Sequence, residues 1–263
     1  MKLQKKILIH FIILFIILSS WSQNNKTCGE IYYTHSMSIS KTFTNNFRMK
    51  FDNNQSYSEE INIKSTDNTQ ETKNSEIGLT KTTIIGRENT TPMFFYNNKK
   101  EFYFREIFSN ETLLVEEDEF EWKWDLHSET KKIGKFICQK ATIDFRGRSY
   151  TAWFTNEIPV PFGPWKFQGL SGLILEVYDT DKVFHITSSK IQIGEKVDCM
   201  INIDKESLKK AISITEYLNE KEKIINAIFA KLSSKMPKGS ESLKLDKNCE
   251  DCPKGLEIFD EEK

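Results

Sequence analysis

The side chains able to do chemistry fall into a few groups. Glu157 and Glu176 bracket a loop rich in Pro and Gly and form a candidate carboxylate pair for acid–base work. Cys249 and Cys252 have the two-residue spacing of redox and metal sites. No second such pair accompanies them, and Pro253, Lys254 and Gly255 follow where a thioredoxin-type site would open a helix, so a structural disulfide or a pair of plain thiols is the expectation. The acidic run Glu116-Glu117-Asp118-Glu119 with Glu121 lacks the glycine-containing alternation of a calcium loop and reads as a solvated edge. Ser171 lies beside Gly172 but without the Gly-x-Ser-x-Gly spacing of a nucleophile elbow. His127 and His185 have no metal-spaced partners, and Arg105, Arg146 and Arg148 are expected to be surface charges before ligands for an anion. No catalytic constellation, metal site or cofactor site is expected.

The elements that would hold these groups are mainly strands. From Glu30 to about Ile191 apolar residues recur with a period of two, interrupted by turn residues, and the period becomes helical after Asp204. Expected strands include Ile31–Ile39, Arg48–Phe51, Ser58–Ile63, Thr82–Ile85, Met93–Tyr96, Glu101–Phe108, Leu113–Glu117 and Glu121–Asp125. A hairpin over Ile133–Phe154 turns at Arg146-Gly147, with Ile137, Ala141, Ile143 and Phe145 on one buried face. Leu173–Tyr178 and Val183–Ile191 form another pair, while polar Ser65–Ser75 reads as a loop. Asp204 can cap a helix over about 205–236 that packs its apolar stripe on the sheet. The fold class is therefore mainly β (α+β), a curved antiparallel sheet or half-barrel with a long C-terminal helix packed on it.

Residues 1–22 have the three parts of an export signal: Lys2, Lys5 and Lys6, an apolar run from Ile7 to Leu18, and Ser20-Trp21-Ser22 before the cleavage point. The apolar run falls short of the roughly 20 residues that span a bilayer, so no transmembrane span is expected in the mature chain. The expected organisation is a signal at 1–22, one β-rich domain at 23–237, and a polar tail at 238–263 carrying the cysteine pair. All five cysteines lie beyond the signal, in a compartment that permits disulfides. With 37 Lys and Arg against 38 Asp and Glu, the chain has no field that would draw it to nucleic acid.

The most distinctive stretch is Tyr150–Glu176, YTAWFTNEIPVPFGPWKFQGLSGLILE. Pro159, Pro161 and Pro164 exclude a central strand or helix interior, and Gly163, Gly169 and Gly172 admit positive φ or close backbone approach. Trp165, Phe167 and Leu170 supply apolar anchors between them. This stretch resembles the GLPGLI family of exported proteins from Gram-negative bacteria through Gly169-Leu170-Ser171-Gly172-Leu173-Ile174, with Ser171 where that family has Pro. Trp153, Glu157-Ile158-Pro159, Gly163-Pro164, Lys166-Phe167, Leu175-Glu176 and Cys138 to Ala141 agree with the same pattern.

The resemblance implies no particular activity. It implies an exported protein, periplasmic or outer-membrane-associated or extracellular, of a cell-envelope family often associated with TonB-dependent transporters of the outer membrane. On this reading the protein is a non-enzymatic binding or accessory module for an apolar ligand or such a transporter, and Trp153, Glu157, Trp165, Phe167 and Glu176 are the candidate binding residues. The alternative is an envelope enzyme, either a carboxylate-based hydrolase or a thiol oxidoreductase.

Overall fold

The computed structural model describes residues 27–38, 42–61, 92–108, 111–118, 120–194, 196–237 and 256–259. The expected signal at 1–22, Ser65–Ser75, Thr82–Ile85, Cys249 and Cys252 lie outside the described residues. Among those described, 12 strands form one sheet that does not close. The first meander is β1 (Gly29–Ser38), β2 (Thr42–Phe51), β3 (Gln55–Ile61), β4 (Met93–Asn97), β5 (Phe102–Phe108) and β6 (Glu111–Glu117). The second is β7 (Asp125–Ile133), β8 (Phe136–Phe145), β9 (Arg148–Thr155), β10 (Leu173–Asp179) and β11 (Phe184–Ile193). They join through β1 and β11, which pair antiparallel from Gly29↔Ile193 to Met37↔Phe184, with an irregularity between Tyr32 and Tyr33. A disulfide between Cys28 and Cys199, 171 residues apart in sequence, staples one end of this seam.

Strands β6 and β7 stand ten places apart in the sheet order, yet only Asp118 to Trp124 connect them. A flat sheet would separate them by roughly 48 Å at about 4.8 Å per strand. Eight extended residue steps reach roughly 27 Å at most. The sheet must therefore curl so that its two ends approach, and the connection crosses the mouth. This is why Glu121–Asp125 forms no separate strand: Trp122 and Trp124 both turn inward and stack on each other, with centroids 5.9 Å apart, as part of that crossing segment.

The concave side is filled by the segment between β9 and β10. Its backbone is tied down by Leu173 N donating to Ile158 O at 3.0 Å, Ile174 N to Phe162 O at 3.0 Å and Gly169 N to Pro161 O at 2.9 Å. Phe167 meets Tyr150 of β9 at 4.9 Å and Phe162 meets Tyr96 of β4 at 5.9 Å, so one loop bridges both meanders. Gly172 allows the closest approach, since a Cβ there would lie 2.1 Å from Thr155 O.

Two expectations need correction. Ile137 is 65% exposed and does not join the buried face of Ala141, Ile143 and Phe145. At that end of β8 the opposite face is covered instead, where Phe136 and Cys138 are buried. The helix is also not continuous. Asp204 caps a single turn, α1 (Lys205–Leu208), after which Ile212–Ser213 forms β12 and pairs in parallel with Val115 and Glu116 of β6. Ser213 then caps α2 (Ile214–Ser233) in a capping box, Glu216 N donating to Ser213 Oγ at 3.2 Å and Ser213 N to Glu216 Oε2 at 2.9 Å. Only its first turns dock: Tyr217 is buried edge-on against Phe104 at 5.3 Å, whereas Ile228 and Leu232 are exposed.

Two outcomes follow. Cys28→Ser should lower the unfolding free energy by about 2–5 kcal/mol under non-reducing conditions, read from denaturant midpoints, because the closed loop is long. Gly172→Ala should cost on the order of 3 kcal/mol, since the clash is with backbone that cannot rotate away.

Candidate functional site

In the sequence Gly163-Pro164-Trp165-Lys166-Phe167, the chain reverses direction with Phe167 N donating to Pro164 O at 3.1 Å. Trp165 takes φ 55° at this turn, a left-handed conformation that costs a non-glycine residue about 1 kcal/mol or more. The surrounding packing holds it there, with the Trp165 ring 5.1 Å from Phe167 and 5.9 Å from Phe145. The consequence is that Lys166 points into the protein, its side chain 3% exposed.

A buried ammonium must be paired, and this one is. Lys166 Nζ donates to Glu117 Oε2 at 2.6 Å and to both oxygens of Glu257, at 3.0 and 2.9 Å. Arg146 Nη2 donates to Glu117 Oε1 at 2.7 Å, and its Nε lies 3.8 Å from Glu257. The Lys166 ammonium also lies 4.0 Å from the centroid of the Phe104 ring. Burial pushes the Glu257 carboxyl above its ordinary range, against the pull of Lys166.

Two cavities meet at Lys166. The first, about 270 Å³, is lined by the aromatic rings of Phe120, Trp122 and Phe145, by three carboxylates, Glu117, Asp118 and Glu121, and by Gln168. Trp122 packs 5.0 Å from Phe120 and 4.9 Å from Phe145. Trp122 Nε1 and Gln168 Oε1 are buried without a hydrogen-bond partner, one a donor and the other an acceptor. The second, about 440 Å³, lies on the concave face and is lined by Phe47, Phe94, Phe104, Trp165, His35 and Glu257, among others. His35 stacks on Phe47 at 4.2 Å, and burial pushes its pKa down to about 3.

The residues singled out in the sequence divide between three places. Trp165 and Phe167 belong to the interior cluster. Trp153 and Glu176 sit opposite each other on the outer face of β9 and β10. There Glu176 is bridged to Lys131 and lies 2.9 Å from His185 Nε2, and Lys131 Nζ stands 4.4 Å from the Trp153 ring centroid. Glu157 is elsewhere, accepting from Ile137 N at 2.9 Å, so Glu157 and Glu176 have separate partners and do not face one cleft as a pair. Ser171 donates to Asn156 Oδ1 at 2.8 Å on the surface. Cys138 is buried with a free thiol. No cluster of three or more metal-ligating side chains occurs among the described residues.

Sequence reading missed the centre of the site. Glu117 is not part of a solvated edge, because it shares a strand face with the fully buried Val115 and is itself buried. Arg146 and Arg148 are not plain surface charges: Arg148 donates to the buried Asp179 at 2.8 Å. The available signal for Lys166 was a single Lys between two aromatic anchors in an otherwise apolar, Pro-rich loop.

A curled β domain whose concave face combines aromatic rings, paired carboxylates and buried cations is the class that fold and site define. Within that class the family is specific. The chain belongs to the family of the N-glycanase peptide, N-terminal domain, whose family model matches residues 41–218. No curated protein matches the chain. Solved structures of PNGF-II in two space groups, P21 and C2, are each 17% identical over 74% of this chain, with TM-scores of 0.49 and 0.47. The chain spans about a third of their length, 33% and 32% respectively. An uncharacterized conserved protein from Thermus thermophilus is 10% identical over 76% of this chain and 98% of its own, with a TM-score of 0.34.

This membership overturns the expectation of a non-enzymatic accessory module for an apolar ligand or an outer-membrane transporter. The concave face gives the physical reason: charged groups converge where an acyl chain would have required a dry, uncharged lining.

Because His35 is held neutral in the folded protein, its contribution to stability is present above pH 6.5 and is lost as pH falls from there toward about 3. The melting temperature should drop over that interval more steeply in the wild type than in His35→Phe, which removes the titrating group and keeps the stacking on Phe47.

Proposed function

We propose that this chain takes part in the hydrolytic release of carbohydrate from glycoproteins in the cell envelope, with the aromatic-rimmed cavity beside Trp122 seating the sugar. Its family supports this reading, and the observation that carries it is the convergence of aromatic rings and carboxylates in one cavity. Sugar rings present an apolar C–H face that packs on Trp and Phe, while their hydroxyls require donors and acceptors in fixed positions. The unpartnered Trp122 Nε1 and Gln168 Oε1 supply one of each. Hydrolysis by carboxylates needs two of them in different environments, one to give a proton and one to accept it. Glu117 is buried in the cavity, whereas Asp118 and Glu121 line it from the exposed side.

A second reading is favoured by the family, which is described as an N-terminal domain: the chain serves to present the saccharide, and other residues cleave the bond. The export-type segment at 1–22 and the Cys28–Cys199 disulfide support placement outside the cytoplasm.

The test is release of glycan from an N-glycopeptide by the purified chain, followed by mass spectrometry, alongside binding of the same glycopeptide. Trp122→Ala should weaken binding at least tenfold. Glu121→Gln, at a carboxylate of the cavity that lies outside the buried ion cluster, should reduce release about 100-fold or more while binding holds within threefold. Binding without release by the wild type would select the second reading. Release that is unaffected in Glu121→Gln would exclude that carboxylate from the chemistry.

A further inference from the structure

Residues 256–259 form a short strap across the concave face. Tyr150 Oη donates to Leu256 O at 2.6 Å, Ile258 N donates to Arg146 O at 2.8 Å, and the Arg146 guanidinium lies 4.5 Å from the Phe259 ring centroid. The strap joins no strand among the described residues. Its one charged side chain, Glu257, reaches Lys166 with both carboxylate oxygens and approaches Arg146.

We infer that Lys166 and Arg146 form a binding site for the carboxylate of a ring-shaped ligand, a sugar acid by its chemistry, and that Glu257 holds this site as an internal stand-in which such a ligand displaces. Two observations at the cations, and a third in the adjoining cavity, carry the inference. The charges balance only with the strap in place, since Lys166 and Arg146 share Glu117 and the second carboxylate comes from Glu257. Without it the pocket keeps two cations against one acid, and a buried uncompensated cation is costly, so an outside carboxylate has a strong reason to enter. The geometry asks for a carboxylate in particular, because the present occupant offers two oxygens to one ammonium at nearly equal distances.

The space beyond Glu257 is suited to a ring. The strap residues Leu256 and Glu257 line the wall of the 440 Å³ cavity, where Phe104 and Trp165 supply ring faces and His35 Nε2 is buried without a partner. The site does not depend on the hydrolytic reading, because neither Glu257 nor the larger cavity has a part in it.

Glucuronate and its uncharged counterpart glucose test this on the full chain. Affinity is measured by calorimetry and exchange of the Ile258 amide by mass spectrometry. Glucuronate should speed Ile258 exchange at least tenfold in the wild type, as the strap leaves, and glucose should not. Glu257→Ala, and Glu257→Gln as the variant that keeps shape without charge, should each tighten glucuronate binding tenfold or more. A gain below tenfold in both variants, unaltered Ile258 exchange, or glucose binding as tightly as glucuronate would each overturn the inference.

Discussion

The rest of the structure depends on one interaction, the burial of the Lys166 ammonium between Glu117 and Glu257. Taking a lysine out of water costs several kcal/mol, and that cost is offset only if each donor finds an acceptor in good geometry. Here the acceptors come from parts of the chain far apart in sequence, the end of β6 and the strap at 256–259, while Arg146, from the turn between β8 and β9, is a second donor to Glu117. The loop that carries Lys166 is seated when Glu117 of the sheet receives the ammonium, and Glu257, or a carboxylate that takes its place, completes the balance. A local turn at Trp165 is thereby made conditional on the closure of the whole sheet.

That closure follows from connectivity. Two meanders joined at β1 and β11 would make a wide flat sheet, but the short link from β6 to β7 pulls its ends together. The loop between β9 and β10 then has a curled wall on several sides and fills it with Phe162, Trp165, Phe167 and Leu170, all buried. The two cavities are what the loop leaves unfilled. Aromatic rings line both together with charged side chains, Lys166 and its carboxylates among them and, farther off, Asp118, Glu121, Glu60 and Arg105.

Much of this is legible in the sequence, and the rest is not for physical reasons. Period-two patterning locates most of the strands, because most of them bury alternate residues over at least half their length, as β1, β8 and β10 do. The Pro and Gly content of 156–172 correctly marks an irregular, tightly packed loop. The failures come where a long-range contact overrides a local pattern. Glu117 sits in an acidic run that looks solvated, and nothing nearby in sequence reveals that Lys166 and Arg146 will cover it. Glu157 and Glu176 flank the loop in sequence, but β10 carries Glu176 onto the outer face, beside Trp153 and Lys131. The apolar spacing of the helical region continues across 209–213 and so reads as one element. The capping signal Ser213-x-x-Glu216 is present but gives no hint that Ile212 will pair with Val115 of β6.

The most direct measurement is a double-mutant cycle between Lys166 and Glu117, using Lys166→Met, Glu117→Gln and the double variant, with unfolding free energies from denaturant titration. Each single change leaves the buried cluster of two cations and two carboxylates out of charge balance, whereas the double change leaves Arg146 and Glu257 in balance, so the losses should be far from additive. A coupling energy of about 2 kcal/mol or more is expected for a pair buried this deeply. Coupling below about 0.5 kcal/mol would mean that the two groups are independently solvated. In that case the seating of the loop could not rest on their contact.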